Sequence, residues 1–235
     1  MIANPVLEQK LGGFVLAGGR SSRMGFDKAL LELEGETLLD RAVRQLRGFC
    51  AEVGTAGGIA RPNLSCEVLP DHLPGNGPLS GIVTALEWTP YEWNLFVAVD
   101  TPFLPDEVWT RIVSGIGRAS ASTGCTSVIA RSGAGNASHQ GDAQPLCAAY
   151  RRHAGACFRS ELESGRRKVL SAAYASGDVY FVDFENSDWF RNINTPEDLK
   201  GTGVTRGGQR QPQPPGEAGR STESTEKPDA ASKSF

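Results

Sequence analysis

Three positively charged side chains follow a pair of glycines near the start of the chain. The stretch from Gly13 to Lys28 reads G-F-V-L-A-G-G-R-S-S-R-M-G-F-D-K, so Arg20, Arg23 and Lys28 come soon after Gly18-Gly19. Paired glycines let the backbone approach a ligand closely, so that several N–H groups can point at one anion. The cationic side chains add positive charge. The stretch therefore predicts a loop that binds a polyphosphate, placed after a short apolar strand.

The spacing of these residues differs from that of the two commonest phosphate-binding loops. The stretch contains neither G-x-x-x-x-G-K-[ST] nor G-x-G-x-x-G. A P-loop kinase and a dinucleotide-binding dehydrogenase are therefore disfavoured. The alternative interpretation is a tight turn between a strand and a helix with no ligand, which the two arginines and the lysine beside the glycines disfavour.

Two aspartates follow predicted strands. The run Asn94–Val99 is the most continuous apolar segment, which is typical of a central parallel strand buried on both faces, and it ends in Asp100. Asp71 stands near the end of a second candidate strand, Cys66–Leu69. Open α/β sheets bind ligands at the carboxyl ends of their strands, so both carboxylates are candidates for a site there. The alternative for each is a turn cap, because aspartate often bonds turn backbone.

Leu16 to Lys28, L-A-G-G-R-S-S-R-M-G-F-D-K, resembles the signature loop of nucleotidyltransferases that join a nucleoside monophosphate to a phosphorylated acceptor. Its double glycine is most similar to the molybdenum cofactor guanylyltransferases, whereas the cytidylyltransferase relatives more usually read L-A-A-G. V-D-T-P around Asp100 and G-P-L-S-G at 77–81 also resemble this family. The resemblance spans Gly13 to about Lys200. It implies that GMP is transferred from GTP to the terminal phosphate of molybdopterin, with release of pyrophosphate and with Mg²⁺ as cofactor.

The resemblance also implies roles for individual residues. Asp100 would bind the metal and act in catalysis with Lys28 and Arg23. The residues implied to bind GTP are Leu16, Ala17, Gly18, Gly19, Arg20, Ser21, Ser22, Lys28, Thr55, Asp71, Gly77, Pro78, Leu79 and Asp100. Thr55 stands where the family often has an asparagine, so its contact is open. Asn192 and Asn194 match the region that faces the pterin acceptor; alternatively, they only fix the entry to a final helix.

Such a transfer needs charge neutralisation and in-line alignment more than covalent help from the protein. A general base is dispensable, because a phosphate monoester already carries close to two negative charges near neutral pH. Two other functions remain open: a transferase that uses CTP or a sugar phosphate acceptor, and a non-catalytic nucleotide-binding regulator on the same fold. The presence of Lys28, Asp71 and Asp100 together disfavours the regulator.

Composition excludes several other classes of protein. A net charge of −3 gives no reason to expect nucleic acid or an acidic membrane surface as a partner. Met1–Gly12 lacks the pattern of a signal peptide, and there is no long apolar run, so a cytoplasmic protein is expected. The cysteines form no C-x-x-C pair, which favours free thiols. We expect a monomer, and the resemblance implies molybdenum-insertion and molybdoenzyme chaperone proteins as partners.

Alternating strand and helix patterns predict an α/β fold with a three-layer, mainly parallel, Rossmann-like sheet of the nucleotidyltransferase type. Thr37 followed by Asp40 predicts the start of a helix, and Gly48 its end. Asp106 is predicted to cap another helix. The segment Gly117–Ala143 is rich in Ser, Gly and Ala and is expected to be a mobile loop with one short strand around Thr126–Ala130.

The end of the chain changes in composition. Thr195, followed by Pro196 and two acidic residues, predicts the N-cap of a last helix. Beyond Gly201 the chain has almost no large apolar side chain, so it cannot offset the entropy of ordering. The sequence therefore predicts one nucleotidyltransferase domain over residues 1–200 and a disordered tail over residues 201–235.

Overall fold

The computed structural model describes residues 10–18, 27–57, 66–71, 75–133 and 141–206. The strands are β1 (Gly12–Leu16), β2 (Leu31–Leu33), β3 (Glu36–Thr37), β4 (Glu52–Ala56), β5 (Glu67–Leu69), β6 (Trp93–Ala98), β7 (Cys125–Ser132), β8 (Asp142–Arg151), β9 (Asp178–Phe184) and β10 (Val204–Arg206). The helices are α1 (Leu38–Arg47), α2 (Pro78–Trp88), α3 (Asp106–Ala119), α4 (Ala154–Glu163) and α5 (Val169–Ser176). None of the helices in these ranges is long and apolar enough to span a membrane.

Seven strands form the central sheet in the order β5-β4-β1-β6-β8-β7-β9. Strand β8 runs antiparallel to both of its neighbours, and every other pairing in this sheet is parallel. The mainly parallel sheet confirms the predicted fold class. Since β1, β4, β5 and β6 are parallel, their carboxyl ends lie along one edge of the sheet, which is where open α/β sheets bind ligands.

Helices cover both faces of the sheet and make three layers. Val15 points to the face that packs against α1 and α3, whereas Phe14 and Leu16 point to the face that packs against α2, α4 and α5. Side chains of a strand alternate between faces, so β1 contributes to both cores. Phe14 and Val15 are almost completely buried. Full burial of such a side chain is worth about 1.5–3 kcal/mol, which anchors the strand that leads into the Gly18 loop.

Helix α1 begins and ends where the sequence predicts. Its N-cap is Thr37, whose side chain accepts a hydrogen bond from the Asp40 N–H at 3.1 Å, and its C-cap is Gly48. Helix α3 differs in detail, because its N-cap is Pro105 and Asp106 is the first helical residue. The carboxylate of Asp106 therefore lies in the first turn, where it favours the helix dipole without capping the helix.

The prediction of a mobile loop over Gly117–Ala143 is wrong for most of that segment. Helix α3 continues to Ala119, because Ile116 and Ala119 are buried against the sheet. Strand β7 then spans eight residues instead of a short central piece, paired on both sides. Tertiary packing outweighs the low helix and strand propensity of the Gly and Ser residues here. Residues 134–140 lie outside the described residues.

The end of the chain also departs from the prediction. Only a three-residue 3-10 turn, Glu197–Leu199, follows Thr195, and the chain then turns at Gly201 and Gly203, both with positive φ. Strand β10 pairs antiparallel with β2 in a three-stranded sheet β10-β2-β3. Val204 is buried there beside Ile193, so the prediction of a disordered tail is wrong for residues 204–206. For residues 207–235, which lie outside the described residues, the tail stays a prediction.

Candidate active site

A cavity of about 210 Å³ opens at the carboxyl ends of β1 and β6. Among the described residues its wall comprises Leu16, Ala17, Gly18, Asp27, Lys28, Pro78, Ala98, Val99, Asp100 and Leu146. The position is the strand edge at which open α/β sheets place ligand chemistry. Five parts of the chain thus meet around one space: the Gly18 loop after β1, the start of the 3-10 turn Lys28–Leu30 that precedes β2, the start of α2, the end of β6 and Leu146 of β8.

The floor of this cavity is built from closely packed backbone. The Ala17 N–H donates to the Ala56 carbonyl at 3.2 Å, and the Val99 N–H donates to the Leu16 carbonyl at 3.2 Å. A Cβ placed on Gly57 would lie 2.7 Å from the Gly18 Cα, and Gly57 has a φ of +75°. Both the close approach and the dihedral require glycine at position 57. Gly57 was not among the predicted residues, although the Gly-Gly pair at the end of the V-G-T-A-G-G run, residues 53–58, carries the signal.

Gly57→Ala is expected to lower the free energy of unfolding by about 3 kcal/mol, because the added methyl group combines a positive φ with a clash against Gly18. Gly35→Ala is the matched control, since Gly35 has a φ of +82° but nothing within 4 Å of the added Cβ. The control is expected to cost only about 1 kcal/mol. Urea unfolding of both variants measures the difference. Equal losses would contradict the role of the Gly18–Gly57 contact.

Lys28 lies at the centre of a polar cluster on the cavity wall. Its Nζ is 3.1 Å from Asp100 Oδ2 and donates to Asn194 Oδ1 at 2.7 Å. The side chains of Lys28 and Asp100 are only 16% and 22% exposed. Their attraction is therefore less screened than that of a surface ion pair. Asp27, which the sequence analysis did not select, caps the 3-10 turn Lys28–Leu30 by accepting the Ala29 N–H at 3.0 Å.

Asn194 reaches this cluster because the preceding residue is anchored. Ile193 is fully buried, and its N–H donates to the Asp100 carbonyl at 2.9 Å. The backbone of the N-I-N-T segment is therefore tied to the end of β6, next to the carboxylate of Asp100. Asn192 and Asn194 are both exposed, and neither is among the described residues of the cavity wall. Asn194 differs in that its side chain accepts the hydrogen bond from Lys28.

Asp71 and the start of α2 lie beside the cavity. Asp71 follows β5, and its Oδ1 accepts a hydrogen bond from the Ser80 hydroxyl in the first turn of α2. Gly77 is the N-cap of this helix with a φ of +75°, and Pro78 is its first residue. Leu79 is fully buried in the core and is not among the described residues of the cavity wall. Proline at the first helical position needs no N–H partner, which suits a helix start that borders a cavity.

The remaining residues predicted to bind the nucleotide lie either away from the described cavity wall or outside the described residues. Thr55 is 1% exposed inside β4 and is not part of the described cavity wall. Its side chain lies on the same face as Val53, which packs against the core under α1. The predicted residues Gly19, Arg20, Ser21, Ser22 and Arg23 lie outside the described residues. Leu146, which lines the cavity from β8, was not among the predicted residues.

The donor groups around the cavity suit a hard cation. Within the described ranges no group of three or more His, Cys, Asp or Glu side chains could bind a metal. Asp27 and Asp100 both contribute to the cavity wall. One or two carboxylates fit Mg²⁺, which takes its other ligands from phosphates and water, but they do not fit a structural zinc site. Neither cysteine nor histidine, the usual zinc ligands, is among the described wall residues. Burial raises the pKa of the Cys50 thiol to about 12.

Known proteins share both the sequence and the fold of this chain. Residues 13–178 match the family described as the MobA-like NTP transferase domain. A Pelotomaculum thermopropionicum protein named probable molybdenum cofactor guanylyltransferase is 34% identical, with 80% of this chain and 89% of the relative covered. A Deinococcus radiodurans protein of the same name is 32% identical, with 79% and 90% covered.

Solved structures give the same architecture. Molybdopterin-guanine dinucleotide biosynthesis protein A from Archaeoglobus fulgidus superposes with a TM-score of 0.64 at 24% identity, covering 80% of this chain and 95% of its own. The 2-C-methyl-D-erythritol 4-phosphate cytidylyltransferase of Thermus thermophilus superposes with a TM-score of 0.57 at 17% identity, covering 79% and 94%. At these identities the likeness shows the fold alone. Because the family match covers most of the described residues, the chain belongs to the MobA-like NTP transferase domain family of nucleotidyltransferases.

Proposed function

We propose that this chain is a Mg²⁺-dependent guanylyltransferase that transfers GMP from GTP to the terminal phosphate of molybdopterin and releases pyrophosphate. The observation that carries the proposal is the cluster of Lys28, Asp100 and Asn194 at the strand-end cavity. Membership of the nucleotidyltransferase family and the names of the relatives support the choice of GTP and molybdopterin.

In the proposed reaction an oxygen of the acceptor phosphate attacks the α-phosphorus of GTP. A new P–O bond forms, the bond to the β-phosphate oxygen breaks, and the electron pair leaves with pyrophosphate. No proton has to be removed from the acceptor, since its phosphate is already ionised near neutral pH. The described cavity wall, which has no histidine or cysteine, suits a reaction that depends on charge and alignment.

Lys28 is the residue that neutralises the transferring phosphates in this proposal. An ammonium group carries three N–H donors. Two of them are directed at Asp100 and Asn194, which fixes the group at the edge of the cavity. A fixed cation stabilises developing charge without reorganising during the reaction. The third donor can then bond a phosphate oxygen of GTP.

Asp100 would bind Mg²⁺, with Asp27 as a second carboxylate on the same wall. A cation held by these carboxylates would supply positive charge that offsets the charge of the leaving pyrophosphate. Gly77, Pro78 and Asp71 are proposed to lie against the nucleoside, because Pro78 lines the cavity, Gly77 precedes it as N-cap of α2, and Asp71 is bonded to Ser80 in the first turn of α2. Asn192 and Asn194 are proposed to face the acceptor.

Calorimetric titration with GTP, CTP, ATP and UTP in the presence of Mg²⁺ tests the nucleotide. We expect a clear preference for GTP, and release of pyrophosphate when molybdopterin is added. Removal of Mg²⁺ with a chelator should stop this release while the protein remains folded. A preference for CTP would overturn the guanylyltransferase assignment and keep the transferase chemistry, and absence of binding to all four nucleotides would overturn the proposal as a whole.

A further inference from the structure

The carboxylate of Asp198 is directed at the backbone of the segment that carries Asn194. Its Oδ2 accepts the N–H groups of Asn194 and Thr195, each at 2.8 Å. These two bonds hold the pKa of the Asp198 carboxyl below its usual range, and the positive charge of Lys28 acts in the same direction. The carboxylate is therefore ionised at neutral pH, and its hydrogen bonds are of the stronger, charge-assisted kind.

The hydrogen bonds of Asp198 differ from those of Asp40, which follows a threonine at the same spacing and lies at the start of α1. Thr37-x-x-Asp40 and Thr195-x-x-Asp198 have the same pattern, and in each the threonine hydroxyl accepts the N–H of the aspartate. Asp40 accepts the Thr37 hydroxyl and lies in the first turn of the ten-residue helix α1. Asp198 instead accepts the backbone N–H groups of Asn194 and Thr195, and the 3-10 turn that contains it has only three residues.

We infer that Asp198 is a positioning residue for the transfer reaction, which acts by fixing Asn194 against Lys28. Two hydrogen bonds hold the backbone at Asn194. The Asp198 carboxylate accepts the N–H of Asn194, and the N–H of the preceding residue, the buried Ile193, donates to the carbonyl of Asp100. With the backbone held at both points, the side-chain oxygen Oδ1 of Asn194 lies 2.7 Å from the Lys28 Nζ and accepts its hydrogen bond. The role in turnover rests on the proposed function, whereas the effect on Lys28 does not.

Loss of the Asp198 carboxylate should leave the Asn194 and Thr195 N–H groups without this partner. The backbone between Ile193 and the 3-10 turn could then shift, and Lys28 would lose a partner of defined position. Small displacements of a group that stabilises transferring charge reduce turnover more than they reduce binding. Asp198 is not among the described residues of the cavity wall, so its effect should pass through Asn194, whose N–H it accepts.

The first test measures GMP transfer by Asp198→Ala, with Asp40→Ala as matched control. We expect kcat to fall about tenfold, in the range typical for partners that orient an active-site group, while KM for GTP changes less than about twofold. Asp198→Asn, which keeps an acceptor oxygen, should recover most of kcat. In an Asn194→Ala background Asp198→Ala should have little further effect. Equal losses in both backgrounds, or an equal loss in Asp40→Ala, would overturn the inference.

The second test needs no substrate. Modification of the Lys28 amine by an amine-reactive reagent, followed by mass spectrometry of the Lys28 peptide, reports how firmly the amine is held. We expect the rate to rise several-fold in Asp198→Ala but not in Asp40→Ala, at temperatures below the thermal transition of both variants. An unchanged rate would overturn the inference. If wild type transfers no GMP yet the rate rises, the proposed function fails and the positioning of Lys28 by Asp198 stands.

Discussion

Asp100→Asn is expected to lower kcat for GMP transfer by about a thousandfold, the scale seen when one electrostatic contributor to a transition state is removed. Asparagine keeps the size of the side chain and an oxygen that can accept the hydrogen bond from Lys28, which lies 3.1 Å away. It removes the negative charge that the proposed Mg²⁺ would require. The backbone bond from the Ile193 N–H to the carbonyl of residue 100 does not depend on the side chain.

GTP binding should change far less than turnover in this variant, because many contacts to the nucleotide are made elsewhere. Calorimetry for GTP and a pyrophosphate-release assay for turnover separate the two effects. Asp106→Asn is the control, since Asp106 is an exposed aspartate in the first turn of α3 and lies outside the cavity wall. Normal turnover by Asp100→Asn would show that the assignment of this carboxylate to the metal is wrong.

Lys28→Ala is expected to reduce kcat by about a hundredfold and to weaken GTP binding by about tenfold, because the variant loses a fixed cation in a partly desolvated site. The loss also leaves the carboxylate of Asp100 without the ammonium group that it contacts. Turnover should therefore fall more than affinity. Steady-state kinetics and calorimetry on the same preparation measure both quantities.

The control for Lys28→Ala is Lys10→Ala. Lys10 is exposed and precedes β1, so it lies at the amino end of the strand whose carboxyl end forms the cavity. We expect this variant to behave like wild type in both assays. If Lys28→Ala binds GTP and turns over as wild type does, the lysine is a structural ion-pair partner and the proposed chemistry is wrong.

Elements with a strong local signal could be predicted from the sequence. Helix α1 has an apolar period, a capping threonine and a terminal glycine, and its limits are confirmed. Strand β6 is apolar except for Asn94, and all of its residues are buried. The prediction that this strand is parallel to its neighbours was only partly right, because β6 pairs with parallel β1 on one side and with antiparallel β8 on the other. Strand direction depends on long-range connections, which apolar content does not encode.

Predictions of disorder or mobility from composition were less reliable, because tertiary contacts decide whether such segments form regular structure. Val204 lies in a stretch with few apolar residues, yet one buried valine and a neighbouring strand suffice to order Val204–Arg206 as β10. Most of the described part of the segment Gly117–Ala143 forms helix or strand for the same reason, because it packs against or within the central sheet. Local propensities amount to fractions of a kcal/mol per residue, and packing against an existing sheet exceeds them.

The sequence alone determined the fold class, the family resemblance and the candidate residues Lys28, Asp71 and Asp100, because strands, glycine loops and strand-end carboxylates have short-range patterns. Only the tertiary structure decided that Asn194 joins Lys28 and Asp100, that Thr55 is buried inside β4 and is not among the described residues of the cavity wall, and that Gly57 packs on Gly18. Lys28 is 72 residues from Asp100 and 166 residues from Asn194 along the chain. Contacts over such separations arise from the order of strands in the sheet and from the buried Ile193, which no local pattern specifies.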